Sequence, residues 1–223
     1  MFDVDGTLYD QRRLRKAMAI RLVAHCASHV RQARLTVRAI RAFRQAQEHM
    51  RDAANIQPER LDQAQLELAA EKCKLPLETV RSVVRDWMFE RPLALLSRCA
   101  DPSLQSVLAG LRRRGLRLGV YSDYPAEEKL MAMDVRDHFD VVVSSYDSEV
   151  SCFKPNKKGF EFAMAKLDAC ATSAIYVGDR DIDGVGAAAA GMKAILVQPH
   201  AGRTETSRFP TIRNLRELAY PDA

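Results

Sequence analysis

Three short apolar runs, far apart in the chain, each end on polar residues able to do chemistry: Phe2-Asp3-Val4-Asp5, Leu118-Gly119-Val120-Tyr121-Ser122-Asp123 and Ala174-Ile175-Tyr176-Val177-Gly178-Asp179. Apolar stretches this short, continuous rather than alternating, fit strands covered on both faces. Val141-Val142-Val143 and Ala194-Ile195-Leu196-Val197 share that composition, and from Asp101 onward the segments between such runs read as helices. Strand then helix, repeated, predicts a doubly wound, Rossmann-like parallel sheet. Such a sheet gathers the carboxyl ends of its strands into one crevice, so Asp3, Ser122 and Asp179 would converge there.

Helix punctuation supports this reading. Asp101 before Pro102 has the form of an N-cap and first-turn proline, Gly115 and Gly191 stand where helices would stop, and Thr211 to Tyr220 reads as a last helix with Ile212, Leu215 and Leu218 on one face. Between the first run and Asp101 no strand is evident. From about Arg12 to about Glu90 the pattern is four helices, with Val37, Ile40 and Phe43 at helical spacing and Pro58 and Pro76 where new helices would begin. The expected organisation is therefore an α/β core of residues 1–11 and 92–223, with an all-helical cap domain inserted at 12–91.

A chain of 223 residues can bury one substantial core with a smaller module beside it. The five cysteines, Cys26, Cys73, Cys99, Cys152 and Cys170, are odd in number, scattered and without a C-x-x-C pair, so neither a zinc site nor a disulfide framework is suggested. His25 and His29 have i, i+4 spacing, yet no third ligand accompanies them. No signal-peptide pattern opens the sequence, and no run approaches the roughly 20 apolar residues of a membrane span. A cytoplasmic setting with no membrane partner is the expectation.

The net charge of +5 is mild and does not by itself imply nucleic acid, which is not expected as a partner. The excess is local: between Gln11 and Arg51 eleven Lys and Arg face one acid, Glu48. Arg31, Arg34, Arg38 and Arg41 share one helix face, opposite Val37, Ile40 and Phe43. That stripe is either a solvated face of the cap or a basic surface that attracts an anionic substrate into the cleft.

Asp3-Val4-Asp5-Gly6-Thr7 sets two carboxylates two residues apart on a turn that Gly6 permits. By itself this is equally a turn with solvated acids. With three further elements in order, however, the sequence resembles the haloacid dehalogenase-like superfamily, phosphatase branch with helical cap, similar to phosphoglycolate phosphatases. The elements are Asp3-Val4-Asp5-Gly6-Thr7, the strand-ending Ser122, Lys154-Pro155, and Gly178-Asp179-Arg180-Asp181-Ile182-Asp183.

The resemblance implies a Mg²⁺-dependent phosphatase acting on a small phosphorylated metabolite. Asp3 would be the nucleophile that forms an aspartyl-phosphate, and Asp5 the acid and base. Asp3, Asp179 and the backbone carbonyl of Asp5 would hold Mg²⁺. Ser122, Asp123 beside it and Lys154 would bind the substrate phosphate, Ser122 and Lys154 also serving catalysis. Asp183 would support Lys154 or a metal-bound water from behind, and Asp181 would lie on the surface.

Asp5 matters within the superfamily, because true dehalogenases lack an aspartate there: a halide leaves without a proton. A phosphomutase would keep all these residues, and a phospho-ligand binding module that had lost turnover remains a third reading. Members of the family usually carry several apolar residues before the first aspartate, whereas only Met1 and Phe2 precede Asp3. The expectation is a true start upstream, or a first strand that tolerates being short. The cap would select the substrate, moving on hinges near Tyr9 to Arg12 and Arg91 to Leu95.

Overall fold

The computed structural model of the chain describes residues 1–28, 30–52, 58–199 and 207–219, with the side chains of residues 26–28, 30 and 31 left aside. Its strands are β1 (Gly119–Ser122), β2 (Val141–Ser144), β3 (Ile175–Gly178), β4 (Lys193–Val197) and β5 (Thr211–Ile212). β1 pairs in parallel with β2, β3 with β4, and β4 with β5. The two groups are joined by the start of the chain, where Phe2 bridges in parallel to Val120 on one side and Val177 on the other. The order across the sheet is therefore β2, β1, chain start, β3, β4, β5.

The first strand is as short as its sequence allows. Four backbone bonds hold it: Phe2 N–H to Gly119 O at 2.8 Å, Tyr121 N–H to Phe2 O at 3.0 Å, Asp3 N–H to Val177 O at 2.8 Å and Val177 N–H to Met1 O at 2.9 Å. One residue thus anchors the segment centrally and aims Asp3 out of the sheet's carboxyl edge.

Adjacent strand residues point to opposite faces, and each face is covered. Phe2, Val4, Val120 and Val177 join one apolar cluster with α5 (Arg91–Cys99), α6 (Leu104–Arg113) and α7 (Glu127–Ala132). Their neighbours Tyr121 and Tyr176, with Val143, pack on the other face against Phe160 of α8 (Lys158–Lys166) and Ala187 of α9 (Asp181–Ala189). The sheet is doubly wound, as its continuous apolar runs predict.

The insertion is helical: α1 (Gln11–Ser28), α2 (Val30–Asp52), α3 (Leu61–Cys73) and α4 (Leu77–Val84), continued by a π-helical turn over Arg85–Glu90. It has its own cluster around fully buried Phe43, Ala46, Ala69 and Val80, into which Tyr124 and Phe153 of the core insert. Phe43 stacks on Tyr124 at 5.9 Å, and Phe89 meets both edge-on. Leu14 of α1 packs instead into the cluster of the sheet.

Three details depart from the sequence reading. The helix expected at Asp101-Pro102 begins at Leu104: Asp101 Oδ1 accepts the N–H (2.7 Å) and hydroxyl (2.6 Å) of Ser103, so its capping power is spent on a preceding turn. Thr211 and Ile212 do not start the last helix but extend the sheet as β5, because the free edge of β4 satisfies their backbone and suits β-branched side chains. The helix that follows, α10, is only Arg216–Ala219, with Leu215 fully buried just before it, and Tyr220 lies outside the described residues.

Phe160 lies edge-on to Tyr121 at 4.8 Å and to Tyr176 at 4.7 Å, all three fully buried. Removing its ring would leave a cavity under the sheet. Phe160→Ala should lower the unfolding free energy by about 3–5 kcal/mol; urea denaturation showing less than about 1 kcal/mol would mean that the face repacks without it.

Candidate active site

Asp3 follows the bridging Phe2, Ser122 ends β1 and Asp179 follows β3, so the three predicted side chains lie at one edge of the sheet. Gly6 brings the turn after Asp3 against Asp179. Its φ is +99°, and a Cβ there would lie 2.2 Å from Asp179 Oδ2, so this close approach requires a residue without a side chain.

Lys154 ties the cluster together. Its fully buried ammonium donates to Asp3 Oδ1 at 2.5 Å, Asp183 Oδ1 at 2.6 Å and the Tyr176 hydroxyl at 3.0 Å, which engages all three N–H groups. Burial alone would lower its pKa, but the carboxylates of Asp183 and Asp3 hold it well above the usual lysine value. Asp183 turns its other oxygen to the start of α9, accepting the backbone N–H of Asp179 at 3.2 Å and of Arg180 at 3.0 Å. Its pKa falls below the ordinary value: burial opposes this, but Lys154 and Arg180 outweigh it.

Oxygens of Asp3, Asp179 and Asp183 lie within 4.8 Å of one another, close enough for one cation. Asp183 has both oxygens committed, whereas Asp3 Oδ2 and Asp179 Oδ1 are buried and accept no hydrogen bond. Asp3 and Asp179 are therefore the two carboxylates of this group with an oxygen left for a cation. Burial, with the nearby Asp183 and Asp5 charges and against Lys154, pushes Asp3 up to about 6. Asp179 is pushed up to about 8 by burial and by the charges of Asp3 and Asp183. Two hard oxygens that ionise reluctantly and lack partners suit a divalent cation such as Mg²⁺.

The hydroxyls of Ser122 and Thr7 are also buried without partners. Four of the six such atoms among the described residues thus belong to this one sheet edge, which concentrates the unmet bonding capacity where a ligand would enter. Asp123 is different. Its carboxylate accepts from Arg51 at 2.6 Å, Gln47 at 3.1 Å, Arg180 at 3.3 Å and the Lys154 N–H at 3.1 Å, so it holds the cap and the core together and offers a phosphate no free side-chain group. Asp181 is exposed.

Asp5 has partners that the sequence did not suggest. Lys129 Nζ donates to both of its oxygens, at 2.6 and 2.8 Å, and the Tyr9 hydroxyl donates to Oδ1 at 2.5 Å. Burial would raise the pKa of Asp5, but the charge and hydrogen bond of Lys129, with the Tyr9 bond, bring it below the ordinary value. Only the four-residue spacing of Asp5 and Tyr9 was available as a hint. Lys129 lies on α7, and nothing in its local pattern marks it.

Arg34, Arg38 and Arg41 line a groove of about 490 Å³ together with Lys72 and Cys73 of α3, and Val37 lines it too. Val37 is thus beside the arginines rather than opposite them, while Phe43 is fully buried. The part of α2 that reaches the cluster is its far end, Gln47 and Arg51. The side chains of Arg31 and His29 lie outside those described. His25 packs against Trp87 at 5.4 Å, and the Arg91 guanidinium lies over the same Trp87 ring at 4.5 Å.

No helix among the described residues is long and apolar enough to cross a membrane. The family model of the haloacid dehalogenase-like hydrolases matches residues 1–191. A glyceraldehyde 3-phosphate phosphatase of Methanopyrus kandleri is 28% identical over 207 residues, covering 89% of this chain and 82% of that protein. Among solved structures, a HAD phosphatase from Thermococcus onnurineus is similar with a TM-score of 0.66 at 22% identity, covering 97% of this chain and 94% of its own. A 2-haloacid dehalogenase from Pseudomonas syringae pv. Tomato is as similar, with a TM-score of 0.66 at 21% identity and the same coverage. These two share the fold. With the family model spanning most of the chain, and with the site elements in order at one sheet edge, the chain belongs to the haloacid dehalogenase-like hydrolases.

Proposed function

We propose that the protein is a Mg²⁺-dependent phosphatase that hydrolyses a small phosphorylated metabolite through an aspartyl-phosphate on Asp3. The observation that carries this reading is the set of unpartnered buried atoms at the sheet edge: Asp3 Oδ2 and Asp179 Oδ1 for a cation, Ser122 Oγ and Thr7 Oγ1 for phosphoryl oxygens. Asp5 favours phosphoryl over halide chemistry, because an alkoxide must gain a proton to leave and a halide need not. The phosphatase relative from Methanopyrus kandleri points the same way and makes triose phosphates the first substrates to try.

Asp3, Asp179 and the Asp5 carbonyl would hold Mg²⁺, which when bound offsets the repulsion between carboxylate and phosphate. Asp3 attacks phosphorus with Oδ1, the oxygen that Lys154 orients, which leaves Oδ2 for the cation, and Ser122 donates to a phosphoryl oxygen. Lys154 has no N–H to spare, so its contribution is positive charge and the fixed orientation of Asp3. Asp5 passes a proton to the leaving oxygen, then recovers one from the water that cleaves the acyl phosphate. Free Cys73, Cys99, Cys152 and Cys170 suit a reducing, cytoplasmic setting.

Release of inorganic phosphate from a panel of phosphorylated metabolites with Mg²⁺ should fall by about 10³-fold or more in Asp3→Asn and vanish in EDTA. Phosphate retained on a rearranged product would identify a mutase instead, and chloride release from 2-haloacids without phosphate release would identify a dehalogenase.

Metal binding should also move protons. With Asp3 raised to about 6 and Asp179 to about 8, both carboxyls must lose protons to ligate a cation, so Mg²⁺ affinity should weaken as pH falls from about 8 to about 6. Calorimetric titration in buffers of different ionisation heat should detect protons released on binding. Affinity independent of pH, with no proton release, would mean that these two side chains do not hold the metal.

A further inference from the structure

Lys129 is almost wholly enclosed, with 11% of its side chain exposed, and no step of the chemistry described above uses it. Two of its three N–H groups are spent on the two oxygens of Asp5, and the third has no hydrogen-bond partner among the described residues. Its ammonium lies 5.9 Å from the centre of the Tyr124 ring, so aromatic surface covers it on that side. Burying a cation this far costs free energy unless charge compensates it, and here that charge is the side chain assigned to the leaving group.

The arrangement fixes what Asp5 can do. Lys129 and Tyr9 donate three hydrogen bonds to its two oxygens, which leaves the carboxylate as an acceptor only. A proton that passes between Asp5 and an alkoxide therefore moves at a carboxylate already held by these donors. The nearest group that carries protons and positive charge is Lys129 itself, in contact with both oxygens of Asp5.

Resting on the phosphatase reading, we propose that Lys129 is a further catalytic residue, whose remaining N–H meets the leaving-group oxygen beside Asp5. As the P–O bond breaks, its electron pair passes to the leaving oxygen, which takes a proton from the Asp5–Lys129 pair and departs as the alcohol. In the second half, water gives its oxygen to phosphorus and a proton back to the pair, the Asp3–phosphorus bond breaks, and inorganic phosphate and the Asp3 carboxylate are restored. Every proton lent in the first half is returned in the second. Lys154 cannot take this part, because its three N–H groups are engaged on the nucleophile's side.

The test is dependence on the leaving group. An alkyl phosphate such as glycerol phosphate needs protonation to leave, whereas the nitrophenolate of p-nitrophenyl phosphate does not. Comparing kcat on both for the wild type, Lys129→Met and Lys129→Arg, the methionine variant should lose at least about tenfold more on the alkyl than on the aryl substrate. The arginine variant, which keeps the charge, should recover part of that difference. Because both substrates are assayed on one preparation, the ratio does not depend on how much of a variant folds. Adding Lys129→Met to Asp5→Asn should widen the difference by less than it does in the wild type, since the two act as a unit.

Equal losses on both substrates, or none, would overturn the role of Lys129. A wild-type protein that releases phosphate from neither substrate nor any other of the panel would instead overturn the phosphatase reading on which it rests.

Discussion

A single buried ammonium organises this molecule. Lys154 comes from the loop before α8, Asp3 from the chain start and Asp183 from α9, and none of the three segments is long enough to fix the others by backbone pairing alone. Taking these charges out of water is expensive, and the cost is offset only because every N–H of the Lys154 ammonium finds an acceptor at 3.0 Å or less. The Tyr176 hydroxyl completes the set and passes the restraint on, donating at 2.6 Å to the Tyr121 carbonyl in β1. The ion pair thereby spans the sheet where its central strand is weakest. A first strand of one bridging residue can hold Asp3 in register because the side chain of Asp3 is anchored as well.

The same economy of charge governs the whole cluster. Five carboxylates, on Asp3, Asp5, Asp123, Asp179 and Asp183, face four cations, on Arg51, Lys129, Lys154 and Arg180. Asp183, Asp123 and Asp5 are saturated with donors. Burial, with too little positive charge beside them to offset it, pushes Asp3 up to about 6 and Asp179 up to about 8. On the proposed function a divalent cation would meet that deficit and turn the cluster net positive before a phosphate dianion enters.

Much of this was legible in the sequence because the relevant signals are local. Continuous apolar runs ending in Asp3, Ser122 and Asp179 point to the parallel sheet and to one edge for those three residues, and the resemblance leaves Asp183 to support either Lys154 or a metal-bound water, of which the structure shows the bond to Lys154. What could not be read depends on contacts between distant segments. Lys129 and Asp5 are 124 residues apart, Arg51 and Asp123 are 72 apart, and no periodicity connects either pair. Thr211 and Ile212 were misread as helix for a related reason: their preference was decided by the vacant edge of β4, a feature of the assembled sheet.

The cap is coupled to the chemistry through Asp123 rather than resting loosely above it. Gln47 and Arg51 of α2 share that carboxylate with Arg180 at the start of α9, and the Tyr124 hydroxyl returns a bond to Gln47 at 2.9 Å. Tyr124 also stacks on Phe43 within the cap and covers Lys129, so the residue that seats the cap is the one that screens the Asp5–Lys129 pair from water. Opening the cap would have to separate Arg51 and Gln47 from Asp123 and withdraw Phe43 from Tyr124. The same motion would let water reach Lys129 and weaken its pairing with Asp5. On the proposed function, cap closure and readiness of the Asp5–Lys129 pair would be one event, which would give a substrate that touches both the cap and the core an advantage over one held by its phosphate alone.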